Sequence, residues 1–200
     1  MSGKVVIRPY EDSDERGWVE CRVLAFLDGA YYDAVDREKE HYERPSIELV
    51  AEVDGRIVGL LDVECEEEPG TVCEDRPGLG GMIWHVAVLR DFRRQGIASC
   101  LLAAAEDVAR ARGLERFEAW TRDDPWVQRW YESCGFVQIS SYLHVYVHGR
   151  SETEGVIGSE IPELKPVKVF AHYTGDERDE MRRRFERVHD CVCYERRFAL

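Results

Sequence analysis

The residues whose types and spacing are best suited to chemistry lie in a short basic turn between two apolar stretches. The turn, residues 90–96, contains three arginines and ends at Gly96. The apolar run before it, 83–89, is rich in β-branched residues and predicts a buried strand. The stretch after it, 97–109, predicts a helix, because its apolar residues recur at helical spacing. Those residues are Ile97, Leu101, Leu102, Ala105 and Val108.

A strand followed by a basic turn and a helix N-terminus predicts an anion site. The first amides of a helix have no partner inside it, and the helix dipole adds partial positive charge there. Gly96 lets the backbone approach a ligand closely, and Arg93 and Arg94 add positive charge. From these residues alone, a phosphate-binding turn and a tight junction with solvated arginines both remain open.

The rest of the chain alternates between predicted strands and helices. Alternating or β-branched patterns predict strands over 5–8, 47–53, 56–64, 83–89, 117–121, 136–139 and 142–147. Helical periodicity, caps and breakers predict helices over 12–25, 97–109 and 125–134, and a weaker one over 31–42. The acidic segment 66–80, with its prolines and glycines, predicts a loop. Strand 117–121 should run parallel to strand 83–89 and form a right-handed crossover with the helix between them.

The last fifty residues are predicted to form an extension. Residues 150–166 have the composition of a linker, and a strand over 167–173, a helix over 176–187 and a strand over 188–198 follow. The predicted division is therefore 1–149 for the main domain and 150–200 for a linker with a strand-helix-strand extension. A piece of this size cannot bury a core alone, so it should dock on the sheet edge or on a second subunit, which allows a homodimer.

Composition restricts the classes of partner. The net charge of −13 argues against a nucleic-acid partner and favours cationic substrates mildly. No stretch has the length of apolar residues that a membrane helix needs, and no signal peptide is evident, so a cytoplasmic location is expected. The seven cysteines lack a disulfide framework. His189, Cys191 and Cys193 would share one face of a strand with no complementary ligand pair elsewhere, so no metal site is predicted.

Two motifs, each on the appropriate predicted element, resemble a known family. Arg93-x-x-Gly96-x-Ala98 is similar to the Q/R-x-x-G-x-G/A signature of the GNAT N-acetyltransferase superfamily. Tyr131 begins a stretch that is similar to the family's Y-E-x-x-G-F segment. The resemblance covers residues 5–148 and implies the α/β GNAT fold. That fold has a mixed, mostly antiparallel twisted sheet of six to seven strands with about four helices, to which this chain adds its C-terminal extension.

The resemblance implies an acetyl-CoA-dependent N-acetyltransferase that acts on a primary amine of a small molecule or peptide. Backbone groups of Val86 and Val88 would pair with the pantetheine arm and polarise the thioester carbonyl. The pyrophosphate would be surrounded by Arg93, Arg94, Gln95, Gly96, Ile97, Ala98 and Ser99. Asp124 stands where an asparagine often contacts CoA. Tyr131 would be the general acid to the CoA thiolate, and Tyr31, Tyr32 and His41 would line the acceptor pocket.

The general base is left open by the sequence. Some relatives use a glutamate on the central strand, but Met82 occupies the corresponding position here and cannot accept a proton. His85 titrates in a suitable range, and Glu52 is an alternative. Asp62 and Glu64 are the other two candidates. Two other functions also stay open: a CoA-sensing module without turnover, and transfer from another acyl donor or to another acceptor.

Overall fold

The computed structural model describes residues 3–198, which form a single eight-stranded sheet flanked by helices. The strands are β1 (Val6–Pro9), β2 (Ser46–Val53), β3 (Arg56–Cys65), β4 (Gly80–Val88), β5 (Arg116–Thr121), β6 (Val137–His148), β7 (Lys168–Tyr173) and β8 (Arg187–Arg197). The α-helices are α1 (Glu15–Phe26), α2 (Ile97–Ala111), α3 (Pro125–Ser133), α4 (Gly149–Thr153) and α5 (Arg178–Arg184). Single 3₁₀ turns cover Asp12–Asp14 and Arg90–Phe92. Within residues 3–198, no helix has both the length and the apolar character to cross a membrane.

The strand order is β1-β2-β3-β4-β5-β8-β6-β7. Every pair of neighbours is antiparallel except β4 and β5, which are parallel and are connected through α2. The predicted α/β class, the mixed and mostly antiparallel sheet and the parallel crossover at its centre are therefore confirmed. The six strands β1–β6 agree with the predicted six to seven, and the tail adds β7 and β8 to the same sheet.

Helices α1 and α2 cover opposite faces of the sheet at β3. Alternate residues of a strand point to opposite faces. Trp18 of α1 donates a hydrogen bond from Nε1 to Asp62, while Ile97 of α2 packs over Gly59. A side chain at Gly59 would lie 3.1 Å from Ile97, so glycine allows α2 to approach the sheet. The face under α1, here called the α1 face, carries the polar residues of β3, while α2 covers an apolar face.

Two predicted elements differ from the structure. The helix predicted over 31–42 is absent, and residues 27–45 form turns and irregular backbone, here called the 27–45 loop. Its charged side chains bind the sheet at separate points, and no continuous apolar stripe holds it as a helix. The strands predicted over 136–139 and 142–147 are one strand, β6, whose register against β8 shifts between Gln138 and Ser140. The adjacent polar residues Ser140 and Ser141 interrupt the apolar pattern, but they do not end the ladder.

The tail enters the sheet rather than docking only at its edge. β7 is the edge strand, as predicted, but β8 lies between β5 and β6 and pairs with both. The prediction of edge docking is therefore wrong for β8, since its backbone partners are β5 and β6 rather than a free edge. The segment 149–186 is inserted between two strands that are neighbours in the sheet, and it begins with the short helix α4 rather than with an unstructured linker. The division at residue 149 and the homodimer stay predictions.

Candidate active site

A β-bulge in β4 opens the middle of the sheet. Asp62 of β3 pairs with His85, whereas Val63 pairs with Ile83, so Trp84 is an extra residue on β4. β4 pairs with β5 only from Gly80 to Ile83, and the two strands part where the bulge begins. A bulge bends its strand and increases its local twist. Beyond Ile83 the two strands are not paired, which leaves a gap between β4 and β5 on the side of the turn that follows β4.

The backbone of β4 presents hydrogen-bonding groups to this gap. In an antiparallel ladder, alternate residues bond to the neighbouring strand. The amide of Leu89 donates to the carbonyl of Val58, so Leu89 and Ala87 face β3. By alternation, the backbone groups of Val86 and Val88 face the gap. Both predicted pantetheine-binding residues therefore have the orientation that an added strand requires.

The turn after β4 ends in a row of free amides. Gly96 has φ +80° and precedes α2, and no atom lies within 4 Å of the place where its Cβ would be. The first bond of the helix runs from the Cys100 amide to the Gly96 carbonyl. Within residues 3–198, six successive amides have no hydrogen-bond acceptor. They belong to Arg94, Gln95, Gly96, Ile97, Ala98 and Ser99. These are six of the seven residues predicted to surround the pyrophosphate, and the seventh is Arg93.

Arg93 ties the turn to its surroundings. Its Nε donates to the carbonyl of Val88 at 3.0 Å, and its Nη2 donates to the carbonyl of Ala25 at 2.9 Å. Its Nη1 lies 2.9 Å from the Asp28 carboxylate, and its guanidinium lies 5.0 Å from the Trp126 ring centre. These contacts join the end of β4, the end of α1 and the start of α3. Arg93 thus holds the turn in shape, and its donors are engaged within the protein.

The other side chains of the turn divide into bound and free ones. Arg90 is also paired with Asp28, and Gln95 donates from Nε2 to the Asp91 carbonyl at 3.2 Å. Arg94 has φ +60° and makes no hydrogen bond or ion pair with any residue that the structure describes. Its guanidinium is therefore the mobile positive charge beside the free amides.

Tyr131 lies in α3 and is buried, with 3% of its surface exposed. Its ring stacks on Tyr194 of β8 at 5.6 Å and meets Phe136 edge-on at 5.2 Å. Its hydroxyl has no hydrogen-bond partner among residues 3–198. Burial, and to a smaller extent the neighbouring hydroxyl of Tyr31, raises the pKa of the Tyr131 phenol. The group stays protonated at neutral pH, as a proton donor must.

His85 is held on both ring nitrogens. Arg22 Nε lies 3.3 Å from Nδ1, and a guanidinium can only donate, so Nδ1 is the acceptor. Nε2 then carries the proton and donates to the Glu40 carboxylate at 2.8 Å. Trp18 packs edge-on at 5.1 Å. In this arrangement the only ring lone pair faces Arg22, so no lone pair is free to take a proton from an amine.

Glu52 and Asp124 are both engaged in structural contacts. Glu52 lies 2.7 Å from Arg8, which also binds Asp14 at 2.6 Å, at the β1 edge of the sheet. Asp124 accepts a hydrogen bond from the Ala30 amide at 2.8 Å and so fixes the 27–45 loop to the start of α3. The structure therefore does not bring Glu52 to the gap, and it turns the Asp124 carboxylate towards the loop.

Asp62 lies at the bulge but is engaged by Trp18, Tyr42 and Lys39, which leaves Glu64 as the remaining carboxylate candidate. Glu64 pairs in register with Met82 of β4 and lies on the α1 face with Asp62. Its Oε2 accepts a hydrogen bond from Trp84 Nε1 at 2.9 Å, while its Oε1 has only Arg44, 3.9 Å away. One oxygen is therefore oriented by the bulge residue, and the other is available to a substrate.

The acceptor-pocket candidates lie in the 27–45 loop. The ring of Tyr31 stacks against the guanidinium of Arg122 at 4.0 Å, and Tyr32 packs against Arg187 at 4.5 Å. His41 is exposed. Sequence reasoning missed Arg122, although its position directly after a predicted strand is one where functional side chains are common. It also missed Lys39, which is buried on the α1 face and has no distinctive spacing.

Comparison with known proteins decides the family. The sequence model of the Acetyltransferase (GNAT) family matches residues 12–136, more than half of the chain. The chain belongs to the GNAT acetyltransferase family. As a member it is an acyltransferase, and the family uses acetyl-CoA.

The curated relatives are also acetyltransferases. An acetyltransferase of Pectobacterium atrosepticum is 31% identical over 107 residues, which cover 54% of this chain and 66% of the relative. N-alpha-acetyltransferase 30 of Schizosaccharomyces pombe is 28% identical over 109 residues, which cover 54% of this chain and 69% of the relative. The chain therefore spans about two thirds of the length of each relative.

Solved structures share the fold at low sequence identity. A GNAT-family acetyltransferase from Streptococcus pneumoniae has a TM-score of 0.60 at 16% identity, over 98% of this chain and all of the other. The PaiA N-acetyltransferase from Thermoplasma acidophilum, solved in complex with coenzyme A, has a TM-score of 0.52 at 12% identity. That similarity covers 68% of this chain and 91% of the other. The GNAT fold, with eight strands here, is thus established.

Proposed function

We propose that this GNAT protein is an acetyl-CoA-dependent N-acetyltransferase that acetylates a primary amine of a small molecule or peptide. The observation that carries the proposal is the gap between β4 and β5, which leads directly to six free amides at the start of α2. An extended arm with amide groups fits the gap, and a diphosphate fits the amides. Acetyl-CoA, when bound, supplies the acetyl group as a thioester.

Each group of residues in the gap and the turn has a separate proposed role. The amides of Val86 and Val88 bind the arm, and one of them polarises the thioester carbonyl. The amides of residues 94–99 hold the diphosphate, and Arg94 adds positive charge. Tyr131 is the proposed general acid, because its buried phenol is protonated and its hydroxyl is not engaged by a neighbour. Arg93 keeps the turn in the shape that presents the amides.

Glu64 is the proposed general base, acting directly or through a water molecule. It lies on the α1 face beside the bulge, and Trp84 orients its carboxylate while one oxygen stays available. His85 is less suited, because Arg22 faces its lone pair, and Glu52 is held by Arg8 away from the gap. His85 is instead proposed to position the loop through Glu40.

The amine acceptor is proposed to be peptidic or a small metabolite. N-alpha-acetyltransferase 30, one of the curated relatives, has a name that indicates an α-amine. A cytoplasmic location is proposed because the cysteines that the structure describes are free thiols.

A thiol-release assay tests the proposal. Purified protein mixed with acetyl-CoA and a panel of amines should release CoA thiol with at least one amine. Tyr131→Phe should lower turnover at least tenfold and leave acetyl-CoA affinity nearly unchanged, since only the proton donor is lost. Binding of acetyl-CoA without thiol release from any amine would instead indicate the sensing module, and absence of binding would refute the proposal.

The base is tested through the pH profile. Glu64→Gln should lower turnover at neutral pH by about a hundredfold or more. The deficit should narrow as pH rises towards the pKa of the amine, because the acceptor then needs no base. Glu20→Gln, on the exposed side of α1, is the matched control. Glu52→Gln tests the rival candidate, and a similar pH-dependent loss there would move the role from Glu64 to Glu52.

A further inference from the structure

Arg122 is a buried cation without an acidic partner. It follows β5 directly, and 5% of its surface is exposed. Within residues 3–198, no carboxylate oxygen lies within 4.0 Å of its guanidinium. Other buried arginines are paired: Arg22 lies 2.8 Å from Asp36, and Arg116 lies among three glutamates. A chain with a net charge of −13 has acidic residues in excess, so the lack of a partner at this one site is distinctive.

The guanidinium is held in a fixed orientation by neutral groups. Nε donates to His144 Nδ1 at 3.0 Å, and Nη1 donates to the Ala30 carbonyl at 2.6 Å. The rings of Tyr31 and Tyr146 lie 4.0 and 5.3 Å from it. Nη2 has no hydrogen-bond partner in the described part of the chain. Two N–H donors of a buried, oriented cation are thus left for a group from outside.

His144 stays neutral beside this cation. Burial, and then the charge of Arg122, lowers the pKa of His144 to about 3. The other titratable groups near it are Tyr142, whose hydroxyl lies 3.3 Å from Nε2, and His172, which stacks on its ring at 4.9 Å. His189 and Asp123 are also near and bind each other at 2.7 Å. Asp123 is therefore already engaged by His189, and it does not neutralise Arg122.

The site lies beside the proposed acid. Tyr31 stacks on Arg122 and is also the neighbour whose hydroxyl acts on the Tyr131 phenol. Tyr31 is therefore a common neighbour of Arg122 and of the proposed acid. The carbonyl of Ala30 ties the same guanidinium to the 27–45 loop, which carries the acceptor-pocket candidates.

We propose that Arg122 binds a carboxylate of the acceptor, so that the acceptor is an amine that also carries a carboxylate group. This inference rests on the proposed function and narrows its substrate class. A carboxylate can accept two parallel hydrogen bonds from a guanidinium and has the opposite charge. An acceptor with a carboxylate therefore supplies the negative partner that the protein does not provide for Arg122. The carboxylate could belong to a free amino acid or to an acidic side chain near a peptide N-terminus.

Matched acceptors test the proposal. Wild-type protein should acetylate one of two acceptors with a kcat/KM at least tenfold above that for its uncharged counterpart. The first pair is phenylalanine and phenylalaninamide. The second is a peptide with Asp at its second position and the same peptide with Asn there. The first pair identifies a free amino acid and the second an acidic peptide. Arg122→Gln should abolish the preference, mainly through KM, and Arg122→Lys should keep part of it. Equal kcat/KM within both pairs in wild-type protein would overturn the proposal.

Arg187→Gln is the control variant. Arg187 lies on the same Tyr146 ring, at 3.8 Å, but it is paired with Asp33 at 2.6 Å. Its loss should affect carboxylate and amide acceptors equally. If Arg122→Gln fails to fold, an undiminished preference in Arg122→Lys overturns the proposal.

A binding measurement separates this proposal from the proposed function. Calorimetry with N-acetylphenylalanine and its amide, in the presence of CoA, needs no turnover. The acid should bind wild-type protein at least tenfold more tightly than the amide, and Arg122→Gln should remove the difference. A carboxylate preference in binding without thiol release would reject the enzyme and keep the Arg122 site. Thiol release, with equal binding and equal kcat/KM of acid and amide, would keep the enzyme and reject the Arg122 site.

Discussion

Lys39 anchors the 27–45 loop, and replacing it should destabilise the protein strongly. Its ammonium is buried, with 2% of the residue exposed, and lies 2.5 Å from Glu48 and 3.0 Å from Asp62. The rings of Tyr10, Trp18 and Tyr42 surround it at 4.9, 5.2 and 5.0 Å. Lys39→Met keeps the length of the side chain and removes the charge. Asp62, which is fully buried, then has no cationic partner at this site.

The magnitude follows from the burial of Asp62. Removing one member of a buried ion pair costs about 3–5 kcal/mol, because the remaining charge is left unpaired in the interior. For a chain of this size each kcal/mol lowers the melting temperature by about 2–4 °C, so a decrease of roughly 6–20 °C is expected. The double variant Lys39→Met with Asp62→Asn should recover part of the loss, because no buried charge remains.

The loss should depend on pH in a defined direction. Burial raises the pKa of Asp62, and the charge of Lys39 opposes this rise. Without Lys39 the pKa of Asp62 in the folded state rises further above its value of about 4 in the unfolded chain. At a pH between these two values, the folded variant holds a proton on Asp62 that the unfolded chain does not hold. The free energy of unfolding of the variant therefore moves towards that of wild type as pH falls. The deficit should be largest at pH 7.5 and smaller near pH 5.

Urea denaturation at pH 7.5 and pH 5 measures these differences. Lys168→Met is the control, because Lys168 is exposed and lies 3.8 Å from Asp33, so its loss should change stability by less than about 1 kcal/mol. The reasoning is refuted if Lys39→Met unfolds within 1 kcal/mol of wild type. It is also refuted if the effects of Lys39→Met and Asp62→Asn on the free energy of unfolding simply add in the double variant.

Two further predictions concern the turn and the β6 face. Gly96→Ala should cost about 1–2 kcal/mol, because φ is +80°, and should also weaken acetyl-CoA binding severalfold, since its Cβ would enter the open space beside the amides. Gly113→Ala, at φ +81° with equally open surroundings, should show a similar stability loss with unchanged affinity in calorimetry. The pKa of His144 is about 3 in the folded state, whereas the unfolded chain takes up this proton below about pH 6.5, so acidification from pH 6.5 to 4 should destabilise the protein. His144→Asn should flatten this part of the stability profile in denaturation experiments, and an unchanged slope would contradict the assignment.

The centre of the fold could be predicted because its signals are local. The run 83–89, Gly96 and the periodic stretch 97–109 each specify their own backbone, and the structure has β4, the turn and α2 there. The position of β8 could not be predicted in the same way. Its alternating pattern predicts a strand, but its partners β5 and β6 are set by contacts between distant parts of the chain, and periodicity does not carry that information.

The candidate site was predictable where it depends on backbone and less so where it depends on side chains. Free amides at the start of α2 follow from helix geometry alone. By contrast, Arg93 and Arg94 are adjacent in sequence, yet Arg93 binds the Val88 carbonyl and Asp28 while Arg94 has no such partner in the described structure. The two residues also differ in backbone conformation, since Arg94 has φ +60° and Arg93 is extended, and the spacing of the two arginines does not specify that difference.

The 27–45 loop gains its shape from anchors that lie on different elements. Ala30 is bound through its amide to Asp124 and through its carbonyl to Arg122, while Lys39 is bound to β2 and β3 and Glu40 to β4. A helix in this place would bury one face and fix all its residues together. With separate anchors, the contacts of Ala30 or Glu40 can change without a change in the sheet or in the amide row, whereas Lys39 also stabilises β2 and β3. Under the proposed function, acceptor choice can therefore change without a change in the proposed coenzyme site, so the substrate is inferred from Arg122 and its neighbours rather than from the fold.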